Sequence, residues 1–242
     1  MNEVDVVRID RNNKENVKDR VADEVPLTIH LDGKELLTLL CSPDSLKELC
    51  VGFLYTSGLI KSVDGIRDIL IDSTNWIVHV ELKTKTGVSV FMFRRLYTSG
   101  CGKRKITSKL KVASDKITEL MDSFQKSSVS FRKTGGVHSA ALSDGNNILV
   151  FKEDIGRHNA LDKAIGEALI KGLNMGDLIV LTSGRISSEI VLKVEKISSA
   201  FLISRSAPTI QAIMLAKELN LTLVGFVRGK RMNIYSGYER VI

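Results

Sequence analysis

The chain has 242 residues, 43% of them hydrophobic, and carries a formal net charge of +7. That length buries a substantial core in one large domain or two modest ones, and no apolar run approaches the roughly 20 residues that a membrane crossing needs. The opening MNEVDVVRID lacks the apolar centre of a signal peptide, so the chain reads as cytoplasmic, and its three cysteines, an odd count, read as reduced thiols.

The positive charge predicts attraction to polyanions: nucleic acid, a phosphorylated cofactor or an acidic protein. Aromatic residues are only 5% of the chain and do not interleave with basic ones as in single-strand-binding surfaces, which disfavours nucleic acid.

In chain order, the first 20 residues are polar and mixed in charge, and are expected to form a tail or an edge strand. VPLTIHL and KELLTLLCS flank Asp32-Gly33, a two-residue hairpin turn. SPDSLKELCVGFLYTSG reads as a helix with Ser42 as N-cap, Pro43 in the first position and Gly58 as its stop. WIVHVEL and VSVFMFR, separated by KTKTG, read as a second hairpin, and hairpin, helix, hairpin suggests a small α+β roll. TSKLKVASDKITELMDSFQ then places Leu110, Ala113, Ile117, Leu120, Met121 and Phe124 on one helical stripe.

HSAALSD and NILVFKED predict a hairpin around Gly145 and Asn146, followed by a helix from about Asn159 to Lys171. From there LIVLTS, SSEIVLKVEKIS, FLISRS, PTIQAIMLAKEL and LTLVGFVRG alternate strand and helix, the pattern of right-handed crossovers and a largely parallel sheet. The fold class is α/β, with a smaller α+β domain over residues 1–105 and a larger domain over 106–242.

In open α/β sheets ligands bind beyond the carboxyl ends of the strands. EDIGRHNALDKA, TSGRISSE, SRSAPT and RGKR each follow a strand. There Ser183, Gly184, Arg185, Ser206, Thr209, Arg228, Lys230 and Arg231 would add side-chain donors to the backbone N–H groups of helix starts, which implies a phosphorylated ligand. Each loop taken alone is also an ordinary capped turn, and GKR also reads as a solvated basic turn; four consecutive loops converging on one edge favour the ligand. The lysine pattern of a P-loop is absent.

In RKTGGVHSA, Gly135 and Gly136 would let the backbone pass close to a ligand beside His138. His138 fits a general acid or base, a metal ligand or a hydrogen-bonded core residue. His158 has Asp154, Arg157, Asn159 and Asp162 around it in sequence. Neither histidine has a Cys-x-x-Cys partner, and no metal is expected. His30 and His79 alternate with apolar residues and read as structural.

Cys41 ends a strand and Cys50 lies on a helix stripe with Leu46, Leu49, Phe53 and Leu54, so both read as buried and inert. Cys101, in YTSGCGKRKI, differs: two glycines give it reach, and Lys103, Arg104 and Lys105 would favour thiolate, the nucleophilic form. The bland alternative is a loop cysteine with chance basic neighbours.

TGGVHSAAL, EDIGRHNALDKAIG, TSGRISSEIVLK, SRSAPTIQAIMLA and LTLVGFVRGKRMNIY, in this order and spacing, resemble the FdhD/NarQ family of formate dehydrogenase accessory proteins over about residues 25 to 236. The resemblance implies a sulfurtransferase. It would take sulfur from a cysteine desulfurase as a persulfide on Cys101 and pass it to the molybdenum cofactor, a bis-(molybdopterin guanine dinucleotide), of the formate dehydrogenase catalytic subunit. It further implies a cytidine-deaminase-like larger domain, a homodimer, guanine nucleotides as ligand mimics, and cofactor binding by Phe226, Val227, Arg228, Gly229, Lys230 and Arg231 in the last βα region. A zinc deaminase needs His-x-Glu and Pro-Cys-x-x-Cys, where this chain offers HSAA and SAPT, so no hydrolytic centre is expected. The family pattern is Cys-Gly-x-Cys, and here Arg104 stands in the second cysteine's place. That departure favours an alternative, a chaperone that binds and inserts the cofactor without moving sulfur.

Overall fold

The structure, a computed structural model, describes residues 1–84 and 105–242. Strands β1 (Asn2–Asp10) and β2 (Asn13–Val21) pair antiparallel from Asn2 opposite Val21 to Asp10 opposite Asn13. A hairpin therefore replaces the expected tail or edge strand. Both of its faces are largely exposed, so neither carries the apolar alternation by which a strand is read from sequence.

Strands β3 (Val25–Leu31) and β4 (Lys34–Cys41) form the expected hairpin. Asp32 and Gly33 have φ of 50° and 81°, the left-handed pair that a tight two-residue turn requires. Helix α1 (Leu46–Thr56) starts later than its sequence suggests, with Ser45 at the cap position and no side-chain cap. Ser42 is held elsewhere: its N–H donates to Asp154 Oδ2 at 3.0 Å and its hydroxyl accepts from the Ile155 N–H at 3.2 Å. A long-range tie displaces the local cap.

Strands β5 (Ile66–Asp72) and β6 (Ile77–Leu82) complete a four-stranded sheet ordered β4-β3-β6-β5, with β3 and β6 parallel. The described hairpin partner of IVHVEL is IRDILID, whose consecutive apolar and charged residues hide its strand character; VSVFMFR lies outside the described residues. His30 and His79 sit opposite each other with ring centroids 5.0 Å apart, as the structural reading expects.

Helices α2 (Ser114–Ser127) and α3 (Val129–Thr134) follow. α2 buries Ile117, Leu120, Met121 and Phe124, while Leu110 and Ala113 precede it. The remaining elements are β7 (His138–Ser143), β8 (Ile148–Asp154), α4 (Arg157–Ile170), β9 (Ile179–Thr182), α5 (Ser188–Lys196), β10 (Phe201–Ser204), α6 (Ile210–Leu219), β11 (Thr222–Arg228) and β12 (Arg231–Ser236). Their strands form one sheet ordered β12-β11-β10-β9-β7-β8.

Only β9, β10 and β11 run parallel to one another; β12 and the β7–β8 hairpin join them antiparallel. The sheet is thus mixed rather than largely parallel, and RGKR closes the β11–β12 hairpin instead of leading into a helix. A consequence for function is that the ends of β8, β9, β10 and β11 and the starts of β7 and β12 share one edge.

Buried apolar side chains form two clusters, one drawn from Val25 to Leu82 and one from Ile106 to Val227. α1 and α4 cross between them at Gly52 and Gly166, where a Cβ would overlap the carbonyl oxygens of Asp162 and Glu48 respectively. Two buried ion pairs lie at this contact, Lys163 with Asp154 at 2.7 Å and Lys193 with Asp162 at 2.8 Å. Among the described residues no helix is long and apolar enough to cross a membrane.

Candidate functional site

At the shared strand edge a cleft of about 400 Å³ opens. Six of the residues singled out from sequence line it: Gly135, Gly136, His138, Ser183, Ser206 and Arg228. Arg205, Phe131, Ser128, Ser139 and Ile155 also line it and were not singled out, and Phe124, read from sequence as part of a helical stripe, reaches it too. Arg205 was legible as the basic residue beside Ser206 in SRSAPT; the others come from α2, α3 and the residue between them, from β7 and from the β8 end, which only the fold brings together here.

Ser183 organises the centre. Its hydroxyl accepts from the Ser139 N–H at 2.9 Å and stands 3.3 Å from His138 Nδ1. Burial holds His138 below the ordinary imidazole range, and the cations of Arg157 and Arg185 lower it further against the opposing charge of Asp154. The ring is therefore a neutral hydrogen-bonding group at pH 7. Gly184 does not line the cleft; it is the place where the Arg157 side chain crosses, since a Cβ there would come within 2.9 Å of Arg157 Cβ.

The cationic end is built by strand irregularity. Phe226 takes a left-handed φ of 53° at a register shift between β11 and β12, and Arg228 lies over its ring with the guanidinium carbon 5.7 Å from the centroid. Such bulges re-aim side chains at sheet rims. At this end the Nε of Arg205 is shielded from solvent and has no hydrogen-bond partner among the described residues; the Arg157 Nε, likewise unpartnered, lies beside Gly184 and outside the cleft lining. Shielded guanidinium donors left over after the protein's own bonds are made suit an anionic ligand.

The other sequence candidates lie apart from the cleft. Thr209 uses its hydroxyl to accept from the Ala212 N–H, the ordinary cap of α6. Val227 is fully buried in the core, and Gly229, Lys230 and Arg231 are exposed at the β11–β12 turn. Arg185 is exposed. His158 pairs with Glu189 at 3.1 Å, outside the cleft, and burial together with Arg157 and Lys193 holds it down at about 4.

Its acidic neighbours in sequence do not join it. Asp154 accepts from Ser42, Gly156, Asn159 and Lys163, while Asp162 accepts from Thr56 and Lys193, so both serve the contact between the two cores. Cys41 and Cys50 are buried, and burial pushes both thiols up to about 12, which makes them inert as the sequence suggests. Cys101, Lys103 and Arg104 lie outside the described residues. Among the described residues no group of three or more His, Cys, Asp or Glu side chains is placed to hold a metal ion.

The fold and this cleft define a mixed α/β protein with a strand-end cleft lined by arginine, serine and phenylalanine side chains. Residues 22–242 match the model of the FdhD/NarQ family, and the chain belongs to that family. It is 40% identical over 253 aligned residues to a sulfur carrier protein FdhD of Listeria innocua, covering 98% of this chain and 97% of the relative. A Bacillus subtilis protein of the same name is 39% identical, covering 98% of this chain and 96% of its own length. Among solved structures, one described as a formate dehydrogenase accessory protein from Desulfotalea psychrophila superposes with a TM-score of 0.84 at 27% identity, over 99% of this chain and 98% of that one.

Proposed function

We propose that this protein is a sulfur carrier for formate dehydrogenase, a sulfurtransferase working through a persulfide on Cys101. The Cys101 thiolate attacks the outer sulfur of a cysteine desulfurase persulfide; the donor's S–S bond breaks, its cysteine leaves as thiolate, and a new S–S bond forms on Cys101. Delivery of the outer sulfur to the molybdenum cofactor, which is substrate here and not a resident group, would break the Cys101 S–S bond and return Cys101 as thiolate, with the two electrons that take the sulfur to sulfide coming from a thiol reductant. Lys103, Arg104 and Lys105 favour the thiolate.

The observation that carries the reading is the meeting of Arg205, Arg228, Ser183 and Ser206 around one cleft, a donor set that suits the phosphates of a guanine dinucleotide. Guanine nucleotides would then act as mimics of that substrate. The names of the relatives support the carrier role. The reading includes a cytidine-deaminase-like larger domain, a division into domains near residue 105, a homodimer and a cytoplasmic setting. The two separate core clusters support the division.

Arg104, where the family places a second cysteine, favours a second reading, a cofactor chaperone that moves no sulfur. Incubation with a cysteine desulfurase and cysteine, followed by mass spectrometry, separates the two. The expected result is one added sulfur atom on Cys101, removed by a thiol reductant and missing in Cys101→Ser. An unmodified wild-type Cys101 under conditions that charge a known acceptor defeats sulfur transfer in favour of the chaperone.

A further inference from the structure

We propose that Phe131 is the platform on which the flat ring of a nucleoside diphosphate moiety stacks in the strand-end cleft, while Arg205 and Arg228 take the phosphates. The inference rests on the reading of the cleft as the site of a nucleotide-bearing substrate. It adds the orientation of that substrate and the residue that reads its ring.

Strand order separates the two ends of the cleft. Arg228 closes β11 and Arg205 follows β10, whereas His138 opens β7 and Ile155 follows β8 at the sheet margin. Four strand spacings lie between β11 and β8, roughly 19 Å at about 4.8 Å each. One end carries Arg205 and Arg228; the other, under α2 and α3, carries no cation in its lining and presents Phe124, Phe131 and Val137 among the neutral polar groups of Gln125, Ser128 and Ser139. A bare phosphate would leave the aromatic end in water, and an apolar ligand would leave the shielded Arg205 donor unpaired. A ligand with a ring at one end and phosphates at the other satisfies both.

Two phenylalanines face this end, and they differ. Phe124 is 1% exposed and packs edge-on against Phe151 with centroids 5.5 Å apart, so it belongs to the core. Phe131 is 47% exposed and its ring contributes little to the core. Its backbone is nevertheless fixed: the Glu153 carboxylate accepts from the N–H groups of Ser130 and Phe131 at 2.9 and 3.0 Å, and the Phe131 carbonyl accepts from Gly135 at 2.8 Å. Gly135 turns away at φ 65°, and a Cβ there would meet nothing within 4 Å, so the mouth beside Phe131 is clear. An exposed aromatic on a pinned backbone beside open space is a preorganised stacking surface.

The test is calorimetric titration of the full reduced chain with GDP and, separately, with inorganic pyrophosphate. Phe131→Ala should weaken GDP binding by at least about five-fold, the lower end of base–aromatic stacking, and leave pyrophosphate within about two-fold. Phe131→Tyr should keep GDP binding, and Arg205→Gln should weaken both probes. If wild type binds GDP and Phe131→Ala binds it equally well, or loses both probes alike, the platform is refuted and the cleft reading stands. If wild type binds neither probe, the cleft reading fails and the platform with it.

Discussion

His158 shows how position in sequence and role in the fold part company. Its neighbours Asp154, Asn159 and Asp162 suggest a catalytic cluster, yet they turn toward the other core and leave the ring with Glu189. Because burial and the cations of Arg157 and Lys193 lower it from 6.5 to about 4, the folded state resists a proton that the unfolded chain accepts. Its contribution to stability is therefore complete above about pH 6.5 and is lost as the pH falls toward about 4; His138, shifted the same way, adds to the slope. Urea titrations between about pH 7 and about pH 5 should show wild type losing more stability than His158→Gln. Equal losses would mean that His158 does not link folding to pH.

Among the elements, the α1–α4 crossing has least tolerance for change. Gly52 and Gly166 let the two helix backbones approach until each occupies the other's Cβ position. Gly166→Ala should drive the helices apart at a cost of about 1–3 kcal/mol or more, read as a fall in Tm, while Gly65→Ala, where a Cβ meets nothing within 4 Å, should be close to neutral. Elements with an apolar stripe or a continuous apolar run bounded by turn residues were readable in advance: the Asp32-Gly33 hairpin, the β7–β8 hairpin and the β9-α5-β10-α6-β11 alternation all appear where apolar spacing and turn residues place them. The β1–β2 hairpin and β5 were not, because a strand with two wet faces or an irregular pattern lacks a period-two signal.

At the scale of the whole molecule the two cores are joined by charge as well as by helix packing. Lys163 is fully buried; it pairs with Asp154 and donates to the Ser42 carbonyl at 3.1 Å, so one side chain of the larger core holds the loop that enters α1. Lys163→Met would leave Asp154 buried without its counter-ion and should cost about 3–5 kcal/mol in denaturant unfolding, the cost of breaking a buried pair. Joint replacement of Lys163 and Asp154 by apolar residues should recover part of that loss, and a double variant no more stable than Lys163→Met would count against an electrostatic origin.

The sequence by itself determined the α/β class, the helices other than α3, most strands, the inert state of Cys41 and Cys50, and the loops that follow the sheet's strands. These follow from local spacing, turn chemistry and charge, which act over a few residues. The tertiary structure alone decided which loop residues meet. It brought Arg205 and Phe131 to the lining of one cleft, left Thr209 to its helix cap and Lys230 exposed in a turn, and committed Asp154 and Asp162 to the contact between cores. The physical reason is that strand order and register are fixed by burial over the whole sheet, so the neighbour of a side chain across an edge is not written near it in the chain.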